Sequence, residues 1–136
     1  MKQTKVILVC GPPCSGKSTY VMAHWTQGDL IFDYDRVMEA VTNLPSHERC
    51  PYAFDFVNVM RDAFYRRAEP GRHSGTIWII EGAPQRSRRE ELMARFGAEL
   101  VLLLPPVEEL LSRAEQRGPN WPPIVKDWLS KHEAWG

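Results

Sequence analysis

Four short runs of apolar, largely β-branched residues punctuate the chain: Lys5–Cys10 (KVILVC), Leu30–Asp33 (LIFD), Thr76–Ile80 (TIWII) and Leu100–Leu104 (LVLLL). Three of them are continuously apolar rather than alternating, which predicts strands buried on both faces of a parallel sheet. Between the runs the period changes from strand-like to helical. Ala53, Phe56, Val57, Met60, Ala63 and Phe64 form one stripe of an amphipathic helix. Val107, Leu110, Leu111 and Ala114 form another, after Pro106 at an expected first helical position and before Gly118. Val125, Trp128, Leu129 and His132 repeat the spacing near the C-terminus. Ser87-Arg88-Arg89-Glu90 reads as a capping box, which predicts a helix starting at Ser87. The order βα, βαα, βα, βαα calls for a three-layer α/β fold with right-handed crossovers.

At 136 residues and 15.7 kDa the chain is expected to form one domain over residues 1–136, because two would each lack a core. Its 43% apolar and 25% charged residues match an ordinary globular balance. The 17 basic residues equal the 17 acidic ones, which excludes duplex DNA binding by a broad positive excess but permits a local basic groove. No run approaches the ~20 apolar residues of a membrane span. Met1–Lys5 leads into the first apolar run without a secretory cleavage pattern, so a cytoplasmic location away from membranes is expected. Cys10, Cys14 and Cys50 form no CxxC pair and frame neither a disulfide scaffold nor a zinc site.

The chemistry is concentrated after the first strand. Gly11-Pro12-Pro13-Cys14-Ser15-Gly16-Lys17-Ser18 fits GxxxxGK[ST], directly after a predicted strand and directly before a helix, and these residues with Thr19 are the expected ATP-binding set. Such a loop wraps backbone N–H groups around a phosphate, and its glycines allow the necessary conformations and close approach. The helix N-terminus adds its dipole. Lys17 is expected to reach the β- and γ-phosphates of ATP, and the Ser18 hydroxyl to ligate Mg²⁺.

Other segments narrow the class. A guanine-reading NKxD segment is absent, and the third strand closes on a lone Glu81 instead of the adjacent acidic pair of a ring ATPase. Glu81 is a candidate Mg²⁺-holding carboxylate, or else a solvated strand end. Arg113 and Arg117 lie four apart on one helix, opposite its Leu110/Leu111 stripe. Like charges at that spacing repel mildly, so an awaited anion explains them, although Glu109 offsets one. The loop Arg117–Pro123 then reads as a small C-terminal lid over a nucleotide. On the acceptor side, Asp33-Tyr34-Asp35-Arg36 ends the second strand at the carboxyl edge that carries ligands in such folds. A hydroxyl acceptor needs a carboxylate to take its proton; Asp33 alone could equally be a helix cap.

With these residues in place, the sequence resembles the polynucleotide-kinase branch of the P-loop kinases, most closely the bacteriophage-type 5′-kinase domain. The resemblance runs from Lys5 to about Trp135 and rests on GPPCSGKSTY at 11–20, WIIEGAPQRSRRE at 78–90 and ELLSRAEQRG at 109–118. It implies four parallel strands in the order 2-3-1-4 flanked by helices. It further implies Lys17 and Ser18 on the phosphates and Mg²⁺, Asp35 as the base for the acceptor hydroxyl, and Arg113 and Arg117 as lid contacts to ATP. One departure stands out: the family places an arginine three residues after that aspartate, where this chain has Met38, and its arginine falls at Arg36.

Arg86, Arg88 and Arg89 surround a predicted helix N-terminus, where the dipole disfavours cations. They either bind an acceptor phosphate beside Glu81 or are balanced by Glu90 and Glu91. Asp33, Arg36 and Arg86 are therefore the candidate acceptor contacts. Cys14 either fills a permissive loop position or is an oxidisable thiol, and Trp121 either stacks on a base or anchors the lid. The expected function is Mg²⁺-dependent transfer of the γ-phosphoryl of ATP to a hydroxyl, foremost a nucleic acid 5′-hydroxyl. A nucleoside, nucleotide or other small-metabolite kinase is the alternative within the class, and a non-catalytic nucleotide-binding switch the alternative outside it.

Overall fold

A computed structural model describes residues 5–45 and 50–132; Met1–Thr4 and Trp135 lie outside the described residues. The elements follow as β1 (Lys5–Cys10), α1 (Lys17–His24), β2 (Leu30–Asp33), α2 (Tyr34–Thr42), a 3-10 turn (Pro51–Ala53) and α3 (Phe54–Ala68). The second half comprises β3 (Thr76–Glu81), α4 (Arg86–Phe96), β4 (Glu99–Leu102), α5 (Val107–Arg117) and α6 (Trp121–Lys131). The strands form one sheet in the order β2-β3-β1-β4 with every neighbouring pair parallel. This is the topology implied by the resemblance.

The apolar run of β1 explains its central place. Val6, Leu8 and Cys10 point to one face, where they pack with Phe32, Tyr65, Ile77, Ile79 and Leu92. Ile7 and Val9 point to the other, with Val21, Trp78 and Ile80. A strand buried on both faces has no use for alternation. A separate cluster of Leu110, Ala114 and Val125 with Cys14 packs α5 and α6 onto the loop after β1. Among the described residues no helix is long and apolar enough to cross a membrane.

Several helix starts differ from expectation. The segment Arg117–Pro123, expected as a loop, is helical from Trp121 onward, because Pro122 and Pro123 fall in the first turn of α6, where a missing N–H costs nothing. The helix α4 begins at Arg86 with Gln85 as its N-cap and no side-chain cap bond, so Ser87 sits inside the first turn. Glu90 is drawn to Arg86, one turn away at 2.8 Å, instead of closing a capping box. Pro106 is the N-cap of α5 rather than its first helical residue. The shifts at α4 and α5 are a residue in size and leave those helices where the periodicity puts them.

Candidate active site at the carboxyl edge of the sheet

All four strands run the same way, so their C-terminal ends share one edge, and the segments that follow β1, β2 and β3 line a cavity of about 860 Å³. Its walls come from Pro13–Thr19, from Asp33–Arg36, from α3, from Glu81-Gly82 and from Arg117, Trp121 and Trp128.

The loop after β1 is built for close approach. A Cβ on Gly11 would sit 2.5 Å from the Leu103 carbonyl oxygen and 2.8 Å from Ser15 Oγ, so only glycine fits. Gly16 caps α1 in the left-handed region with φ 90°, a conformation that costs glycine nothing. Cys14 holds a left-handed φ of 69° without being glycine, a strained arrangement of the kind found at ligand clamps. Its thiol is buried beside α5 and α6, which makes it a packing residue.

Within this cradle Ser15 Oγ is buried and meets no hydrogen-bond partner among the described residues. Lys17 Nζ folds back on its own loop, donating to the carbonyls of Gly11 and Pro12 at 2.8 Å each. Burial lowers its pKa to about 8, against the pull of Asp35. An orphaned hydroxyl, a desolvated ammonium on weak carbonyl partners and a helix N-terminus together fit an anion, and a triphosphate is the anion this loop geometry matches.

Ser18 Oγ donates to Asp33 Oδ2 at 2.9 Å, which joins the end of the loop to the end of β2. Asp33 also accepts from the Asp35 N–H at 3.2 Å and so caps α2. The alternatives open at the sequence level, cap or active carboxylate, therefore coexist in one side chain. A hydroxyl and a carboxylate at that separation are a donor set for a hard divalent cation such as Mg²⁺.

Glu81 lines the same cavity, but its charge is taken. Arg88 Nε and Nη2 donate to it at 2.6 and 3.3 Å, and the Tyr65 hydroxyl donates at 2.7 Å. Burial and then Glu81 raise the Tyr65 pKa, so the phenol stays a donor. Glu81, expected as a metal-holding carboxylate, is thus ion-paired with Arg88, and the carboxylate bonded to Ser18 is Asp33. The cause is Arg88, one turn into α4 and within reach of the strand end.

Asp35 stands at the cavity mouth, reached by solvent yet hemmed in by protein. Burial and then the neighbouring Asp33 raise its pKa, with Lys17 acting in the opposite sense. Among the described residues its carboxylate has no hydrogen-bond donor. Arg36 and Met38 both line the cavity, as do Tyr34 and Glu39 from the same helix.

The arginines separate into two groups. Arg117 lines the cavity with its guanidinium over the Trp121 ring, 5.1 Å from the centroid. Trp121 is thus at once a lid anchor and a cavity wall. Arg113 is turned to structure: it donates to the Cys14 carbonyl at 3.0 Å and pairs with Glu109, tying α5 to the phosphate loop. The cluster expected to meet an acceptor is also structurally engaged. Arg86 pairs with Glu90 and is not among the cavity-lining residues. Arg88 neutralises Glu81. Arg89 is fully buried and holds the carbonyls of Ala83 and Pro84 at 2.8 and 2.9 Å, shaping the turn after β3.

Sequence reasoning overlooked the part of α3 that faces the site. Phe54, Asn58, Arg61 and Tyr65 recur at spacings of four, three and four, and all line the cavity. The apolar stripe called attention to the opposite choice of residues; the polar members of the lining carried no motif.

A four-stranded parallel sheet in this order, with a phosphate loop at its carboxyl edge and a helical lid, defines the P-loop kinase class. Within it the chain belongs to the AAA domain family (AAA_33), whose model matches residues 6–123. No curated protein matches the sequence.

Solved structures support the fold. The Pnkp1/Rnl/Hen1 RNA repair complex superposes with a TM-score of 0.71 at 16% identity, over 96% of this chain and 44% of that one. A sugar kinase from Janibacter sp. HTCC2649 gives 0.62 at 23% identity, covering 98% and 80%. Shikimate kinase from Acinetobacter baumannii, in complex with shikimate, gives 0.50 at 21%, covering 96% and 75%. The chain spans less than half the length of the RNA repair protein it resembles.

Proposed function

We propose that this protein is an ATP-dependent kinase that transfers the γ-phosphoryl group to a hydroxyl acceptor. The observation that carries this reading is the meeting of Lys17, Ser18, Asp33 and Asp35 in one cavity, two of them joined by the 2.9 Å bond between Ser18 and Asp33. A nucleotide switch needs the loop but has no use for a second, donor-free carboxylate.

The loop from Gly11 to Thr19 holds the phosphates through its backbone N–H groups, and Ser15 Oγ gains the partner it lacks. Lys17 leaves the Gly11 and Pro12 carbonyls for the β- and γ-phosphates. Ser18 and Asp33 hold Mg²⁺. That ion, when bound, neutralises charge on the phosphate oxygens. Arg117 closes over the transferring group from the lid, and Arg113 keeps the lid seated on Cys14. Asp35 accepts the proton of the acceptor hydroxyl; its raised pKa brings it closer to the working range of a general base. The acceptor oxygen forms a bond to the γ-phosphorus as the bond to the bridging oxygen breaks, and ADP leaves.

For the acceptor, a small hydroxylated molecule is the reading the geometry favours. The cavity lies near the upper end of the ~300–1,000 Å³ usual for small-molecule sites, room for a nucleotide and a compact second ligand. The arginine cluster suited to a strand's phosphates is engaged elsewhere. A nucleic acid 5′-hydroxyl is the second reading, supported by the likeness to the RNA repair complex and by one spacing. Counted from Asp33 instead of Asp35, the arginine three residues on is Arg36. Transfer from γ-labelled ATP to sugars, hydroxy acids, nucleosides, nucleotides and 5′-hydroxyl oligonucleotides tests both. Label on a small acceptor supports the first, label on the oligonucleotide alone supports the second, and nucleotide binding with no transfer to any of them returns the protein to the switch class.

A further inference from the structure

Two arginines at the acceptor end of the cavity, Arg36 and Arg61, have terminal nitrogens that meet no acceptor among the described residues; Arg36 is exposed, and Arg61 is the more sheltered of the two. Arg61 projects from the cavity-lining stripe of α3, its side chain 29% exposed. Its only ion pair among the described residues is with the adjacent Asp62, through Nε at 3.3 Å, and Asp62 is itself 60% exposed. The two terminal nitrogens, the prongs that make arginine a bidentate ligand, meet no protein acceptor among the described residues. Arg88, Arg95 and Arg113 are each matched to a glutamate on or against their own helix.

The surroundings of Arg61 look like the remainder of a subsite. Tyr34 Oη donates to Asn58 Oδ1 at 2.8 Å, bridging α2 and α3 across the cavity wall. That bond leaves the Asn58 amide N–H groups available to a ligand oxygen. Phe54 contributes an apolar wall one turn before Asn58. Asn58, Arg61 and Tyr65 follow one another at helical spacing along α3 and line the same cavity as Tyr34 of α2. Glu81 is already neutralised by Arg88, so it does not claim Arg61.

We infer that Arg61 is the specificity-determining residue of the acceptor site and that the acceptor bears an anionic group, a phosphate or a carboxylate, on the same small molecule as its reactive hydroxyl. A planar guanidinium facing a partly desolvated cavity matches such a group through two parallel N–H···O bonds. This inference rests on the kinase reading of the same cavity and adds what that reading leaves open.

The test is binding of matched acceptor pairs to protein preloaded with Mg²⁺ and a non-hydrolysable ATP analogue. Trp121 and Trp128 in the cavity wall supply the fluorescence signal. One pair is a nucleoside 3′-monophosphate against the free nucleoside; the other is a sugar acid against the neutral sugar. Wild type should bind the anionic member of one pair at least tenfold more tightly, and which pair responds distinguishes phosphate from carboxylate. In Arg61→Gln that preference should fall to within about twofold, with analogue affinity and melting temperature unchanged. No preference in wild type for either anionic member, or a preference that survives in Arg61→Gln, overturns the inference. Failure of the analogue to bind wild type at all removes the kinase reading instead, and the inference with it.

Discussion

Two aspartates stand at opposite ends of β2 and are treated in opposite ways. Asp29, just before the strand, accepts from the Thr76 N–H at 3.0 Å, the Trp78 indole and the Thr26 N–H at 3.1 Å, and the Thr26 hydroxyl at 3.3 Å. Burial alone would raise its pKa, yet these donors together bring it below the usual value. Trp25 adds a bond to the Asp29 carbonyl at 3.0 Å. At the other end Asp33 receives one hydroxyl and one N–H, and Asp35 receives no donor among the described residues. Burial and mutual repulsion raise Asp35. The first carboxylate is completed by the fold and staples β2 and β3 together. The second pair is left short of positive partners, and that shortage is what a metal ion and a substrate hydroxyl would fill.

The contrast predicts that damage at the two ends separates into function and stability. Asp35→Asn keeps the shape and removes the proton acceptor, so phosphoryl transfer should fall by about 10²–10⁴. Its melting temperature should not fall, since one of two repelling charges is gone; rate assays and a thermal melt on the same preparation check both. Arg117→Ala removes a cation stacked over the Trp121 ring. It should lower kcat by about 10²–10³ while leaving unliganded stability within about 0.5 kcal/mol, as denaturant titration would show.

Asp29→Asn should do the reverse. Loss of charged hydrogen bonds should cost about 1–3 kcal/mol of stability with kcat intact at temperatures below the melt. The pH dependence has a definite sign. Because the folded pKa lies below the ordinary 3.8, the stabilisation from Asp29 is complete above that value and disappears as pH falls through the folded pKa. Wild type should therefore lose stability in acid more steeply than Asp29→Asn, measured by denaturant midpoints between neutral and acid pH. The smallest effect belongs to Trp128→Phe, which keeps a ring and deletes the 3.0 Å bond to the Gly82 carbonyl. A loss of about 0.5–1.5 kcal/mol is expected.

How much of this was visible in the sequence depends on how local each feature is. The strands are legible because burial on both faces forces uninterrupted apolar runs, and the phosphate loop because its glycines and lysine are contiguous. Glu81 was legible as a strand-end carboxylate but not as an occupied one, because that depends on Arg88 turning back from α4 and Tyr65 reaching over from α3. The pairing of Ser18 with Asp33 spans fifteen residues and exists only because β1 and β2 end at the same edge of the sheet. Arg89 looked like a surface cation at a helix start; nothing in its neighbours announced a fully buried side chain holding two carbonyls. Arg61 sits in a helix whose apolar stripe dominates its pattern, so its cavity-facing position emerges only once α3 is packed against α2.

The functional half of the contrast is decided most directly by thermal denaturation with and without Mg²⁺ and ATP, in wild type, Lys17→Ala and Asp29→Asn. At a hundredfold excess over Kd, ligand binding should stabilise wild type by ~2.7 kcal/mol, which for a chain of this size raises Tm by roughly 10 °C. Asp29→Asn should start from a lower Tm and show the same rise. Lys17→Ala should start near the wild-type Tm and lose most of the rise. An equal rise in wild type and Lys17→Ala, or none in wild type, would contradict the assignment of the carboxyl edge as a nucleotide site.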